Sequence, residues 1–157
     1  MKRRWIILAA PLLLAGCGGA PPPKPAATLD LTVIGSATQN PDASGTAEPV
    51  AVRIYPLTAT GKFMTADPYS LMDNAASLLG ADLAGPSDQV IVAPGATVGV
   101  KRRLPPGAQS LGIVVLFRAI DRAQWRLVAK LAPHGPNPLI LRIDGIAAKL
   151  TPSVKKG

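Results

Sequence analysis

The chain has 157 residues, 48% of them hydrophobic, with 17 Lys and Arg against 9 Asp and Glu and a formal net charge of +8. One cysteine and one histidine leave no internal disulfide and too few ligands for a zinc site of the Cys/His kind. Aromatic residues make up 4% and are not interleaved with the basic ones, so no nucleic-acid partner is expected.

The first segment reads as an export signal. Lys2, Arg3 and Arg4 precede an apolar run from Trp5 to Leu14, and Ala15-Gly16 lead into Cys17. A basic start, a short apolar run and small residues are the order of a secretory leader. The run is too short to span a bilayer, which takes about 20 residues. With Cys17 placed after the small pair, the segment resembles the lipobox of bacterial lipoproteins. That resemblance implies cleavage after residue 16, a diacylglycerol on the Cys17 sulfur and an acyl group on its amine. Gly18 stands where an aspartate favours inner-membrane retention in such proteins, so the outer membrane is the expected destination. Removing Lys2, Arg3 and Arg4 leaves a modest positive charge.

Residues 17–27 form a tether. Pro21, Pro22, Pro23 and Pro25 exclude a helix or central strand and favour an extended, semi-rigid spacer. The folded domain is expected over residues 28–157. There the apolar residues recur every second position: Leu29, Leu31, Val33; Val50, Val52, Ile54; Val90 to Val92; Leu111, Ile113, Val115, Phe117; Trp125, Leu127, Ala129, Leu131; Leu139, Leu141, Ile143; with a last strand over residues 146–150. Turns such as Ala93-Pro94-Gly95 and Pro105-Pro106-Gly107 separate them. Short strands at this spacing predict an antiparallel β-sandwich.

One stretch departs from that period. Asp67-Pro68 is a helix start, Tyr69, Met72, Ala76 and Leu79 recur at helical spacing, and Gly80 is a stop. One or two short helices are therefore predicted between Gly61 and Gly80, packed on a sheet edge or across one end of the core. The connection from Thr38 to Pro49 is long for a hairpin loop. It is polar, rich in turn formers, and holds the chain's single glutamate, Glu48.

Catalytic patterns are poorly represented. His134 lies in a Pro-Gly-rich loop, and no nucleophile elbow or phosphate loop is present. Asn40, Asp42 and Ser44 alternate like the start of a calcium loop, but the twelfth loop position is Ala51 rather than glutamate. Lys101-Arg102-Arg103 reads as a solvated strand end that deters aggregation, with lipid headgroups or a protein partner as the other reading. Neither an enzyme nor a metal or organic cofactor is expected.

The order of the lipobox, a strand, Asn40-Pro41-Asp42-Ala43-Ser44-Gly45, Val52-Arg53-Ile54-Tyr55-Pro56-Leu57, Leu79-Gly80-Ala81-Asp82 and Gln124-Trp125-Arg126 resembles the type VI secretion lipoprotein family TssJ (SciN, VasD). The resemblance implies a transthyretin-like β-sandwich with added helices, anchored in the outer membrane and facing the periplasm. It further implies binding to the periplasmic C-terminal domain of TssM, with TssL in the wider complex. In that family the loop after the first strand grips TssM; here it corresponds to Gln39, Asn40, Pro41, Asp42, Ala43, Ser44, Gly45 and Glu48. A ligand-carrying or pilotin-like lipoprotein is the alternative.

Overall fold

The computed structural model describes residues 20–153. Cys17 and the leader expected over residues 1–16 lie outside the described residues. The strands are β1 (Thr28–Gly35), β2 (Val50–Leu57), β3 (Asp88–Val92), β4 (Thr97–Arg103), β5 (Ser110–Leu116), β6 (Arg126–Lys130), β7 (Pro136–Asp144) and β8 (Ala147–Pro152). Helices α1 (Gly61–Thr65) and α2 (Pro68–Leu79) lie between β2 and β3. Two four-stranded sheets form, ordered β4-β1-β7-β8 and β3-β2-β5-β6.

The period-two residues face one another across the sheets. Leu31, Val33, Val52, Leu111, Ile113, Val115 and Leu141 are fully buried in this core. One pairing departs from the antiparallel expectation: β1 runs parallel to β7, with Leu31 opposite Leu139 and Val33 opposite Leu141. The sequence separation between these strands allows a parallel crossover, and both contribute core side chains at matching positions. Strand β4, absent from the apolar reading because its final residues are Lys101, Arg102 and Arg103, pairs antiparallel with β1. It is an edge strand, and charged residues there disfavour strand addition.

A second apolar cluster explains where the helices go. Tyr55, Leu57 and Val114 lie on the outer face of the β3-β2-β5-β6 sheet and pack with Phe63, Ala66, Leu71 and Leu79. The helices therefore cover a sheet face rather than an edge or an end. β5 is buried on both sides for this reason. At Gly112 an added Cβ would lie 2.8 Å from Phe63 Cζ and 2.9 Å from Leu57 Cδ1, so only glycine lets the cap approach.

Asp67 caps α2 by accepting from the Ser70 N–H at 2.9 Å, and Pro68 occupies the first turn. The helix is broken at Asn74 (φ −142°). Leu71 and Leu79 are buried, with Ala75 and Leu78 packed partly against the same cluster, so Leu79 points inward as expected while Tyr69 is 57% exposed. Beside the break the sheet supplies side-chain donors to helix carbonyls. Tyr55 Oη donates to the Leu71 carbonyl at 2.8 Å, and Arg53 Nη1 donates to the Met72 carbonyl. Arg126 reaches the carbonyls of Met64 and Ala66 at the end of α1 while its guanidinium lies 4.3 Å from the Trp125 ring centroid. The Val52–Leu57 and Gln124–Arg126 motifs thus carry the side chains that fasten the cap.

Candidate functional site: a pinned loop at one pole

The sandwich has two poles. At one, β1 ends, β2 begins, β3 turns into β4 and β7 turns into β8; here lies the segment joining Gly35 to Val50. Its base is fixed by side chains that enter the protein. Gln39 is fully buried and donates through Nε2 to the Val92 carbonyl at 2.7 Å and the Glu48 carbonyl at 3.3 Å. Its Oε1 meets no donor. Gly35 makes room for this side chain, since a Cβ there would sit 2.2 Å from Gln39 Oε1.

Asn40 is 3% exposed and adopts φ +47°, a left-handed conformation that asparagine tolerates better than most residues. Its N–H donates to the Gly145 carbonyl at 2.7 Å. Its Nδ2 donates to the Pro49 carbonyl and its Oδ1 accepts from the Arg118 N–H, both at 2.8 Å. One residue thereby ties the loop to its own exit and to the segment after β5 through its side chain, and to the β7–β8 turn through its backbone N–H. At the loop entrance Ser36 Oγ and Thr38 Oγ1 donate to Asp144 Oδ1 at 2.8 and 2.9 Å. These bonds hold the Asp144 carboxyl below the ordinary aspartate range, Ser36 contributing most and Thr38 next.

Beyond Asn40 the loop turns outward. Pro41 and Ala47 form an isolated bridge, closing a small finger. Within it Asp42 Oδ1 accepts from Ser44 N–H at 2.8 Å, Ser44 Oγ at 2.7 Å and Thr46 N–H at 2.9 Å. The Ser44 hydroxyl, followed by the Thr46 amide, lowers the Asp42 pKa. Gly45 (φ +87°) turns the tip. Ala43, Ser44, Gly45 and Thr46 are exposed, Pro41 and Asp42 partly so, and Glu48 is half-buried at the return. The expected site residues therefore divide. Gln39 and Asn40 are the loop's foundations, with their side chains turned away from solvent; residues 41–46 form its accessible surface.

The fold adds residues that sequence reasoning missed. Pro41, Asp42 and Ala43 form one wall of a polar groove of about 390 Å³, and Arg118, Ala119, Asp121 and Arg122 form the other. Arg118 and Arg122 are exposed. Nothing in the chain order links these segments; the clue was the long β5–β6 connection after Phe117-Arg118, which had to return to the same pole. Among the described residues no group of three or more His, Cys, Asp or Glu is arranged to hold a metal.

Two packed four-stranded sheets, a helical cap on one face and a stiffened polar finger at one pole define a β-sandwich that presents a loop on a rigid scaffold. Residues 27–146 match the family described as type VI secretion lipoprotein, VasD, EvfM, TssJ. The chain belongs to that family. Among solved structures it is similar to the T6SS lipoprotein TssJ1 from Pseudomonas aeruginosa, with 30% identity over 83% of this chain and 98% of that one, at a TM-score of 0.79. A chain of a type VI membrane complex aligns with 28% identity over 80% of this chain and 98% of that chain, at a TM-score of 0.70. A chain of the structure described as the T6SS protein TssM C-terminal domain from EAEC aligns with 27% identity over 80% and 98%, at a TM-score of 0.64. No match was found among curated proteins.

Proposed function

We propose that this lipoprotein is a non-enzymatic anchor of the type VI secretion membrane complex. Lipid on Cys17 holds it in the outer membrane with the domain facing the periplasm. The pole built from residues 41–46, with Arg118 and Arg122 across the groove, grips the periplasmic C-terminal domain of TssM, beneath which TssL completes the inner-membrane part. The covalent lipid is the chain's only added group in this reading. The observation that carries it is the Asp42-centred finger, stiffened by Asn40 and left accessible, in a chain of this family. A loop ordered before contact loses little entropy on docking. The similarity to chains from a type VI membrane complex and from the TssM structure supports the choice of partner.

The test separates the loop's surface from its foundation. S44R and R118E act at exposed positions away from the loop's buried base, S44R also removing the Ser44 hydroxyl bond to Asp42, and each should weaken TssM binding at least tenfold while leaving thermal unfolding of the domain unchanged. Unaltered affinity in both would remove this pole from the interface. One observation favours the ligand-carrying reading: a larger, partly apolar cleft opens at the opposite pole. Release of a small molecule from the purified domain on denaturation would support that reading.

A further inference from the structure

At the second pole the sheets part. A cleft of about 1220 Å³ runs between them, floored by Leu29, Ile54, Leu104, Leu111 and Leu131 and edged by Pro105 and Pro106. The tether enters here. Ala26 and Ala27 line the cleft. Ala26 bridges His134, the Ala27 carbonyl accepts from the Leu104 N–H at 2.9 Å, and the Pro25 carbonyl accepts from Gly135 N–H at 3.2 Å. The chain is thus fastened from Pro25 onward, a few residues before the expected domain start. From Cys17 to Pro25 an extended chain reaches roughly 25 Å at about 3.1 Å per residue.

The charge at this pole is net positive. Arg102, pointing across the sandwich, pairs with Asp88 at 2.7 Å, and Lys101 pairs with Asp30 at 3.6 Å. Arg103 and Lys130 border the cleft and have no acidic partner within ion-pair distance among the described residues. Lys24 is exposed on the tether just before the cleft. Ser153 closes the described chain at the same pole, bonded to the Pro138 carbonyl, and Lys155 and Lys156 follow in the sequence.

We infer that this pole is a docking surface for anionic phospholipid, with Arg103, Lys130 and Lys24 meeting headgroup phosphates at the mouth of the cleft. The surface would orient the domain on its own membrane, pole down, and direct the Asp42 finger away from the bilayer. The inference rests on the lipid-anchored reading for its geometry, because only a short tether keeps this pole near a bilayer. Charge complementarity selects the occupant: an anionic leaflet rewards each unpaired cation held within a Debye length of it.

The experiment uses the chain from Cys17 onward with C17S, which retains every described residue and has no acyl group. Co-sedimentation is measured with phosphatidylcholine vesicles and with vesicles that also contain phosphatidylglycerol. Binding should require phosphatidylglycerol, weaken with salt, and fall roughly 30-fold in R103S/K130S, about fivefold per cation. R118S/R122S makes the same change in net charge at the opposite pole and should bind as the parent does. Circular dichroism melts confirm that both variants are folded. Equal binding to both vesicle types, or equal loss in both double variants, would overturn the inference. Cys17 lipidation is scored separately, by palmitate labelling of the full-length protein in cells, so failure of the anchor and failure of the docking surface give different results.

Discussion

Gln39 and Asn40 are polar residues in a polar loop, and from sequence they read as surface groups. Their burial follows from what surrounds them: Gly35 vacates the space for Gln39, and three separate segments offer Asn40 backbone partners. Two substitutions test this. Gly35→Ala should force Gln39 from its site and destabilise the domain by about 1–3 kcal/mol, as overpacking does. Asn40→Ala should cost about 2–3 kcal/mol by leaving buried backbone groups unpaired, and Asn40→Gly should recover only the part due to the positive φ. Chemical denaturation measures both; a neutral Asn40→Ala would refute the pinning account. Asp42 supplies a pH prediction. Its carboxyl titrates below the ordinary value, so the finger's order is fully present above about pH 4 and is lost as pH falls through the depressed pKa. Amide resonances of Ser44 and Thr46 should follow this low titration; movement at the ordinary aspartate value would contradict it.

At the scale of elements, period-two spacing revealed most strands because most bury one face more deeply than the other, β5 being the exception that is buried on both. The helices were legible from Asp67-Pro68 and Gly80, and Leu79 points inward as expected, but Leu71 rather than Tyr69 is the buried residue of the first turns. Leu71, Ala75, Leu78 and Leu79 keep helical spacing across the break at Asn74, on a face offset from the one drawn through Tyr69 and Ala76. The position of the cap depended on Tyr55, which alternation places on the face opposite Val52 and Ile54, and on Val114, which joins it only when β2 and β5 lie side by side. Tyr55→Phe removes one donor to a carbonyl beside the helix break and should destabilise the domain by about 1–2 kcal/mol. Gly112→Ala should push Phe63 outward and loosen the cap. Faster amide exchange across Phe63–Leu79, with the β1–β7 pair still protected, is the expected result; uniform protection would show that the cap is not sensitive to this contact.

For the molecule as a whole, the two poles carry different chemistry on one rigid core. From composition the sequence predicts a tether before β1 and a polar loop after it; the structure places the loop at one pole and fastens the chain from Pro25 at the other. The sequence did not disclose that Arg118 and Arg122 stand across a groove from Asp42, or that β1 lies parallel to β7, because both facts depend on contacts between residues far apart in the chain. In the proposed reading the two poles make a coupler, with the membrane on the side of the tether and the partner on the side of the loop. The most direct test is calorimetric titration of the domain, starting at Cys17 and carrying C17S, with the purified periplasmic C-terminal domain of TssM from the same genome. The account predicts saturable binding at micromolar affinity or tighter, lost when S44R and R118E are combined in a domain that still unfolds cooperatively. Absence of heat and of complex formation between two folded proteins would contradict it.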